Sequence, residues 1–255
     1  MDAKCGEGRC RSNIAAGNTF AGKKQGATLT RPHLSEIDSW GNFETRILKV
    51  LVLALEILRN SGGHLTKECE DKLNYELYFC MLEAVRILGG EDSGIDSPPV
   101  YECMNQPLEE EELLDVSRKK RPDFQWGYID HSERNPRKSA KYYYVECKRL
   151  GTPIRSDWVF NQNYVLHGVL RFVKPEWKYG RASSSGTMIG YIQSMEVKDI
   201  LSGVNEEAFN NDIPPIELGP QGWEKKGVSR LEHEFNRPKV VPTHFTLRHF
   251  WVDLQ

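Results

Sequence analysis

Residues 121–151 read RPDFQWGYIDHSERNPRKSAKYYYVECKRLG, two strand-like runs separated by a polar, basic loop. Phe124–Ile129 is rich in aromatics, and Lys141–Cys147 runs K-Y-Y-Y-V-E-C, a composition suited to a pleated surface. Side chains alternate along a strand, so Val145 and Cys147 are expected on one face and Glu146 and Lys148 on the other. Pro122-Asp123 opens the first run and Glu146-Cys147-Lys148 closes the second. A hairpin therefore brings two carboxylates and an ammonium to neighbouring strand ends. Asp123 and Glu146 can offer hard oxygen ligands to Mg²⁺ or Mn²⁺, and the Cys147 carbonyl can add a third. Lys148 can hold or help deprotonate a metal-bound water and offset charge on a phosphate oxygen. This is the equipment of metal-assisted phosphodiester hydrolysis.

The Pro-Asp, spacer, Glu-x-Lys arrangement resembles the PD-(D/E)xK, or restriction-endonuclease-like, nuclease superfamily. Glu-x-Lys alone carries no weight, because it recurs at Glu70–Lys72, Glu176–Lys178, Glu196–Lys198 and Glu224–Lys226. Pro-Asp occurs once, and only Glu146–Lys148 follows it at hairpin separation and ends an aromatic strand. The resemblance covers about residues 66–193. It implies an α/β fold with a core ordered helix, three strands, helix, strand, and a further acid on the helix before the sheet. Glu70 stands near the start of that helix, in register with its apolar stripe Leu73, Leu77, Cys80, Ala84 and Ile87. Glu76 is the second choice, and Glu83 also lies near the edge of the stripe. The resemblance further implies Mg²⁺-dependent cleavage of DNA, 5′-phosphate products and a setting in prokaryotic restriction or anti-phage defence.

Outward from the hairpin, the chain divides into a tail (1–32), an N-terminal helix (33–65) and a nuclease-like domain (66–255) that ends in a C-terminal strand extension. The tail is poor in large apolar side chains and reads as flexible. Ser35 or Asp38 is expected to cap the first helix, which is apolar almost all round and so points to burial or to a partner protein or homo-oligomer. Thr66 is expected to cap the second helix, which runs to about Leu88. Val100–Met104 reads as a first strand, and an acidic run, 108–115, leads into basic residues 118–121. Ser156 or Asp157 is expected to cap a helix from Trp158 to Val173 whose inner face is Val159, Gln162, Leu166, Val169 and Leu170. Thr187–Gln193 reads as a central strand and Met195–Phe209 as a helix capped near Ser194. Residues 210–240 read as Pro- and Gly-rich connection, and Phe245–Leu254 as a last strand containing His249 as an ordinary strand residue.

The net charge of −2 excludes whole-chain basicity, but its distribution is uneven. Residues 118–181 hold 15 Lys/Arg against six Asp/Glu, as a polyanionic substrate requires. Arg121, Arg149, Lys174, Lys178 and Arg181 are the expected nucleic-acid contacts, with Trp177 and Tyr179 placed to stack bases. The six cysteines show no Cys-x-x-Cys pair, and Cys80 and Cys147 fall on buried faces. The first thirty residues lack the apolar stretch of a signal peptide, and no run is long enough to span a bilayer, so a reduced, cytoplasmic location is expected. Two other functions stay open: a catalytically inactive nucleic-acid-binding or assembly subunit, and an RNA nuclease.

Overall fold

The computed structural model describes residues 39–61, 63–89, 95, 97–104, 120–153, 159–224 and 227–255. The expected tail, the acidic run and the caps Ser35, Asp38, Ser156 and Asp157 lie outside them. The chain builds one α/β arrangement around a seven-stranded mixed sheet, in the order β1-β2-β3-β4-β7-β6-β5. Its first half is α1 (Trp40–Asn60), a 3₁₀ turn (Gly63–Lys67), α2 (Glu70–Leu88), β1 (Val100–Tyr101), β2 (Phe124–Ile129) and β3 (Ala140–Leu150). There follow α3 (Phe160–Tyr164), a π turn (Val165–Val169) and α4 (Leu170–Val173), which run on as one helical rod. The remainder is β4 (Ser185–Ile192), α5 (Val197–Asn210), β5 (Glu217–Leu218), β6 (Val228–Asn236) and β7 (His244–Asp253).

The pairing is antiparallel from β1 to β3 and parallel from β3 through β4 to β7. It turns antiparallel again into β6 and β5. Every residue of β4 is buried, as expected of a parallel strand covered on both faces. Alternation along β3 divides two cores. Tyr143, Val145 and Cys147 join α1 and α2 on one face, while Tyr144 and Leu150 join α3, α4 and α5 on the other.

Several boundaries differ from the reading of the sequence. Ser39 caps α1, its hydroxyl accepting from the Asn42 amide at 3.2 Å. Thr66 does not cap α2; it falls inside the 3₁₀ turn, and Cys69 precedes the helix without a side-chain cap. Glu70 is therefore the first residue of α2. The apolar surface of α1 is largely consumed within the chain, since Ile47, Leu51, Leu55 and Leu58 share a core with α2 and the sheet.

Strand β6 was not anticipated. Its inward positions are Ser229, Leu231, His233 and Phe235, so two polar residues interrupt the apolar alternation that would announce it. The rod after β3 also departs from expectation. Gln162 and Leu166 are exposed, whereas Phe160, Asn161, Tyr164, Val165 and Gly168 are buried. A π turn inserts one residue and shifts the phase of everything after it, which no 3.6-residue pattern can reveal.

Candidate active site

Register places Asp123 one step beyond the Phe124–Val145 pair, opposite Glu146. The Asp123 carboxylate accepts the Cys147 amide N–H at 2.6 Å, tying the start of β2 to the end of β3. Glu146 is fully buried and Lys148 nearly so. The three ammonium protons of Lys148 go to Glu70 Oε1 (2.7 Å), Glu146 Oε1 (3.0 Å) and the Cys147 carbonyl (2.6 Å). Glu146 Oε1 also accepts from Arg171 Nη1, which arrives from α4. Asp123, Glu146, Lys148 and Glu70 thus converge, although Glu70 lies 78 residues before Lys148. The competing helix acids are occupied elsewhere: Glu76 pairs with Lys72 and Glu83 with Arg86 on the surface of α2.

The electrostatics of the group are unequal. Burial, and then the charge of Glu146, hold the Asp123 carboxyl well above the usual carboxylate range, against the pull of Lys148. Burial works against the charge of Lys148, but Glu146, Asp123 and Glu70 outweigh it and raise its pKa. Lys148 is an ammonium here, a donor of protons in hydrogen bonds. Of the two roles expected for it, orienting a water and offsetting phosphate charge suits this state, and removing a proton does not.

A cavity of about 340 Å³ opens beside the group, lined by Glu70, Lys148, Arg149, Phe160, Asn163, His167 and Arg171. Gly168 brings the helical rod down onto it. A Cβ there would stand 2.4 Å from Met188 Cε and 3.3 Å from Lys148 Cγ, so any larger residue would have to displace the end of the Met188 side chain. Burial, with Arg171 and Lys148, lowers the pKa of His167 and favours the neutral imidazole. Arg171 and His167 were both missed in the sequence. Each sits past the start of the π turn, where the helical phase had already been lost.

Among the described residues, no cluster of three or more His, Cys, Asp and Glu is grouped to hold a metal ion. The acids converge on Lys148 instead. Asp123 and Glu146 carboxylates and the Cys147 carbonyl are oxygen donors of the type a hard divalent cation takes, each bonded here to groups of the chain itself. Glu146 Oε2 is buried and has no hydrogen-bond partner among the described residues.

The expected nucleic-acid contacts divide. Arg149 lines this cavity, its guanidinium 4.5 Å from the Phe160 ring centroid. Lys178 and Arg181 line a different pocket, and Arg121 and Lys174 are exposed. Tyr179 is fully buried and cannot stack a base. Trp177 is half-buried, with Lys120 at 4.0 Å and Arg171 at 4.6 Å from its ring centroid. No family model, curated protein or solved structure matches the chain. No helix among the described residues is long and apolar enough to cross a membrane.

Proposed function

We propose that the protein is a metal-dependent nuclease that hydrolyses DNA phosphodiester bonds at the Asp123–Glu146–Lys148 group, with Glu70 completing it. The observation that carries this reading is the convergence of these four side chains, from three elements, on one end of the sheet. The order α2, β1, β2, β3, helical rod, β4 also agrees with a restriction-endonuclease-like core. Asp123, Glu146 and the Cys147 carbonyl would hold Mg²⁺ or Mn²⁺, which when bound supplies an acidified water and neutralises phosphate charge. Lys148 would set its positive charge beside that water and a phosphate oxygen, exchanging one of its three present hydrogen bonds to do so. Glu70 holds the ammonium in place through its 2.7 Å contact. Arg149 and Arg171 border the cavity as counter-charges for the backbone on either side of the scissile bond. By analogy with similar small nucleases, restriction or anti-phage defence is the proposed setting.

The deciding experiment incubates plasmid and linear DNA, and a matched RNA, with purified protein in Mg²⁺, Mn²⁺ or EDTA, alongside Lys148→Ala. Metal-dependent cutting of DNA that falls about 10²–10³-fold in the variant is the expected result. Cutting of RNA alone would move the substrate class. One observation favours a second reading, an inactive nucleic-acid-binding subunit. Glu146 Oε1 serves two cations of the chain itself, Lys148 and Arg171. No cutting, together with no calorimetric signal for Mn²⁺, would select that reading.

A further inference from the structure

A second pocket, of about 480 Å³, lies near the other end of β3 and is lined by Lys138, Lys141, Lys178, Arg181 and Lys239 with one carboxylate, Glu133. Asp130 pairs with Lys141 at 2.7 Å, and among the described residues that line the pocket five are cationic and one is acidic. Pro175 and Val240 add an apolar wall. Lys141 stands five residues before Glu146 on the same strand, roughly 17 Å away at ~3.3 Å per residue. An anion bound here is out of reach of the Lys148 ammonium.

The pocket is built rather than incidental. Arg237 is almost wholly buried, and its guanidinium donates to the carbonyls of Tyr179 (2.8 Å), Gly180 (2.6 Å) and Ser183 (3.1 Å). The Ala182 amide donates to the Val241 carbonyl at 2.9 Å. These bonds lock the segment carrying Lys178 and Arg181 onto the connection carrying Lys239. They hold Lys178 and Ala182 at φ 55° and 62°, a left-handed backbone that residues with a side chain seldom adopt. Strain fixed at this many points is a mark of a preorganised site.

We propose that this pocket binds phosphate groups, at a site separate from the carboxylate group and independent of its chemistry. Clustered lysines act as point charges for phosphate, and Lys138 and Lys239 stand exposed at the pocket to meet it. The volume is in the range of small-ligand pockets and exceeds what a single phosphate needs. The ligand is therefore a phosphate ester with more than one charge, supplied either by a free nucleotide or by the backbone of a nucleic-acid strand.

The test is binding of a fluorescent single-stranded oligonucleotide and of ATP, with inorganic tripolyphosphate as competitor, all in EDTA. It uses wild type, the exposed double variant Lys138→Glu/Lys239→Glu, and Glu133→Gln. EDTA and an Asp123→Ala background remove the carboxylate site from the readout, so failure of the nuclease reading leaves this result unaffected. Wild type should bind at least one probe, more weakly as salt rises. The double variant should lose about tenfold or more in affinity, and Glu133→Gln should gain. ATP binding displaced by tripolyphosphate identifies a free-nucleotide site. Oligonucleotide binding without ATP binding identifies the strand backbone. Failure of every probe to bind, or full binding by a double variant with native circular dichroism, overturns the proposal.

Discussion

Lys148 and Arg237 are both cations buried to less than a tenth exposure, yet only Lys148 is paired with carboxylates. Lys148 is met by carboxylates, with Glu70 and Glu146 within 3.0 Å. All five N–H groups of Arg237 end on backbone carbonyls, those of Phe172, Tyr179, Gly180, Ser183 and Pro242, and its face lies 3.8 Å from the centroid of Phe245. A charge held by carbonyl dipoles has no counter-ion to exchange, and its effect is to fix the shape of a loop. A charge held among acids belongs to a group in which each member's protonation depends on the others. The first arrangement is scaffold. The second has the unequal, strained electrostatics found at reactive sites.

The comparison breaks first at activity. Asp123→Ala or Glu146→Ala should reduce DNA cleavage to background. Lys148→Ala should lower it about 10²–10³-fold while Mn²⁺ still binds by calorimetry. Arg237→Met should leave the carboxylate group intact but strand five buried carbonyls, costing about 3–5 kcal/mol in urea unfolding. If Arg237→Met cost less than Lys148→Met, the assignment of scaffold and site would be reversed.

A third prediction concerns pH. Burial, with only the Pro214 carbonyl opposing it, lowers the pKa of His233 to about 4. Burial and then His233 depress the pKa of His249, which shares a 2.7 Å hydrogen bond with the Tyr164 hydroxyl. Both folded pKa values lie below the unfolded value near 6.5, so the unfolded chain binds more protons below that pH. Stability is then fully present above about pH 6.5 and is lost as pH falls toward 4, by roughly 1.4 kcal/mol per pH unit for each histidine. Urea midpoints at pH 7 and pH 5 measure it, and His233→Phe should remove about half of the slope. The smallest effect is Asp123→Asn without metal. Neutralising a carboxyl whose pKa is raised relieves burial and repulsion by Glu146, while the amide oxygen can still accept from Cys147. A gain of about 1 kcal/mol is expected above the ordinary carboxylate pKa of about 4. A loss there would mean that the ionised carboxylate stabilises the fold.

What the sequence by itself determined is what depends on neighbours along the chain. The β2–β3 hairpin follows from two aromatic runs around a polar loop, and strand alternation separates Glu146 and Lys148 from Val145 and Cys147. Pro-Asp and Glu-Cys-Lys then meet because antiparallel register leaves them nowhere else to go. Glu70 was singled out because the resemblance implies an acid on that helix, and Glu70 stands near its start in register with the apolar stripe. Tertiary structure decided the rest. Arg171 and His167 reach the cavity because a π turn rotates the helix after Tyr164, and Gly168 lets that helix come close. β6 exists because polar Ser229 and His233 find inward positions only in the assembled sheet. Of the cations expected to act together, Arg149 lines one pocket, Lys178 and Arg181 line another on a loop that Arg237 ties down, and Arg121 and Lys174 are exposed. A sequence pattern records which face a residue is on, whereas phase shifts, buried polar positions and loop paths depend on long-range contacts that leave no periodic trace.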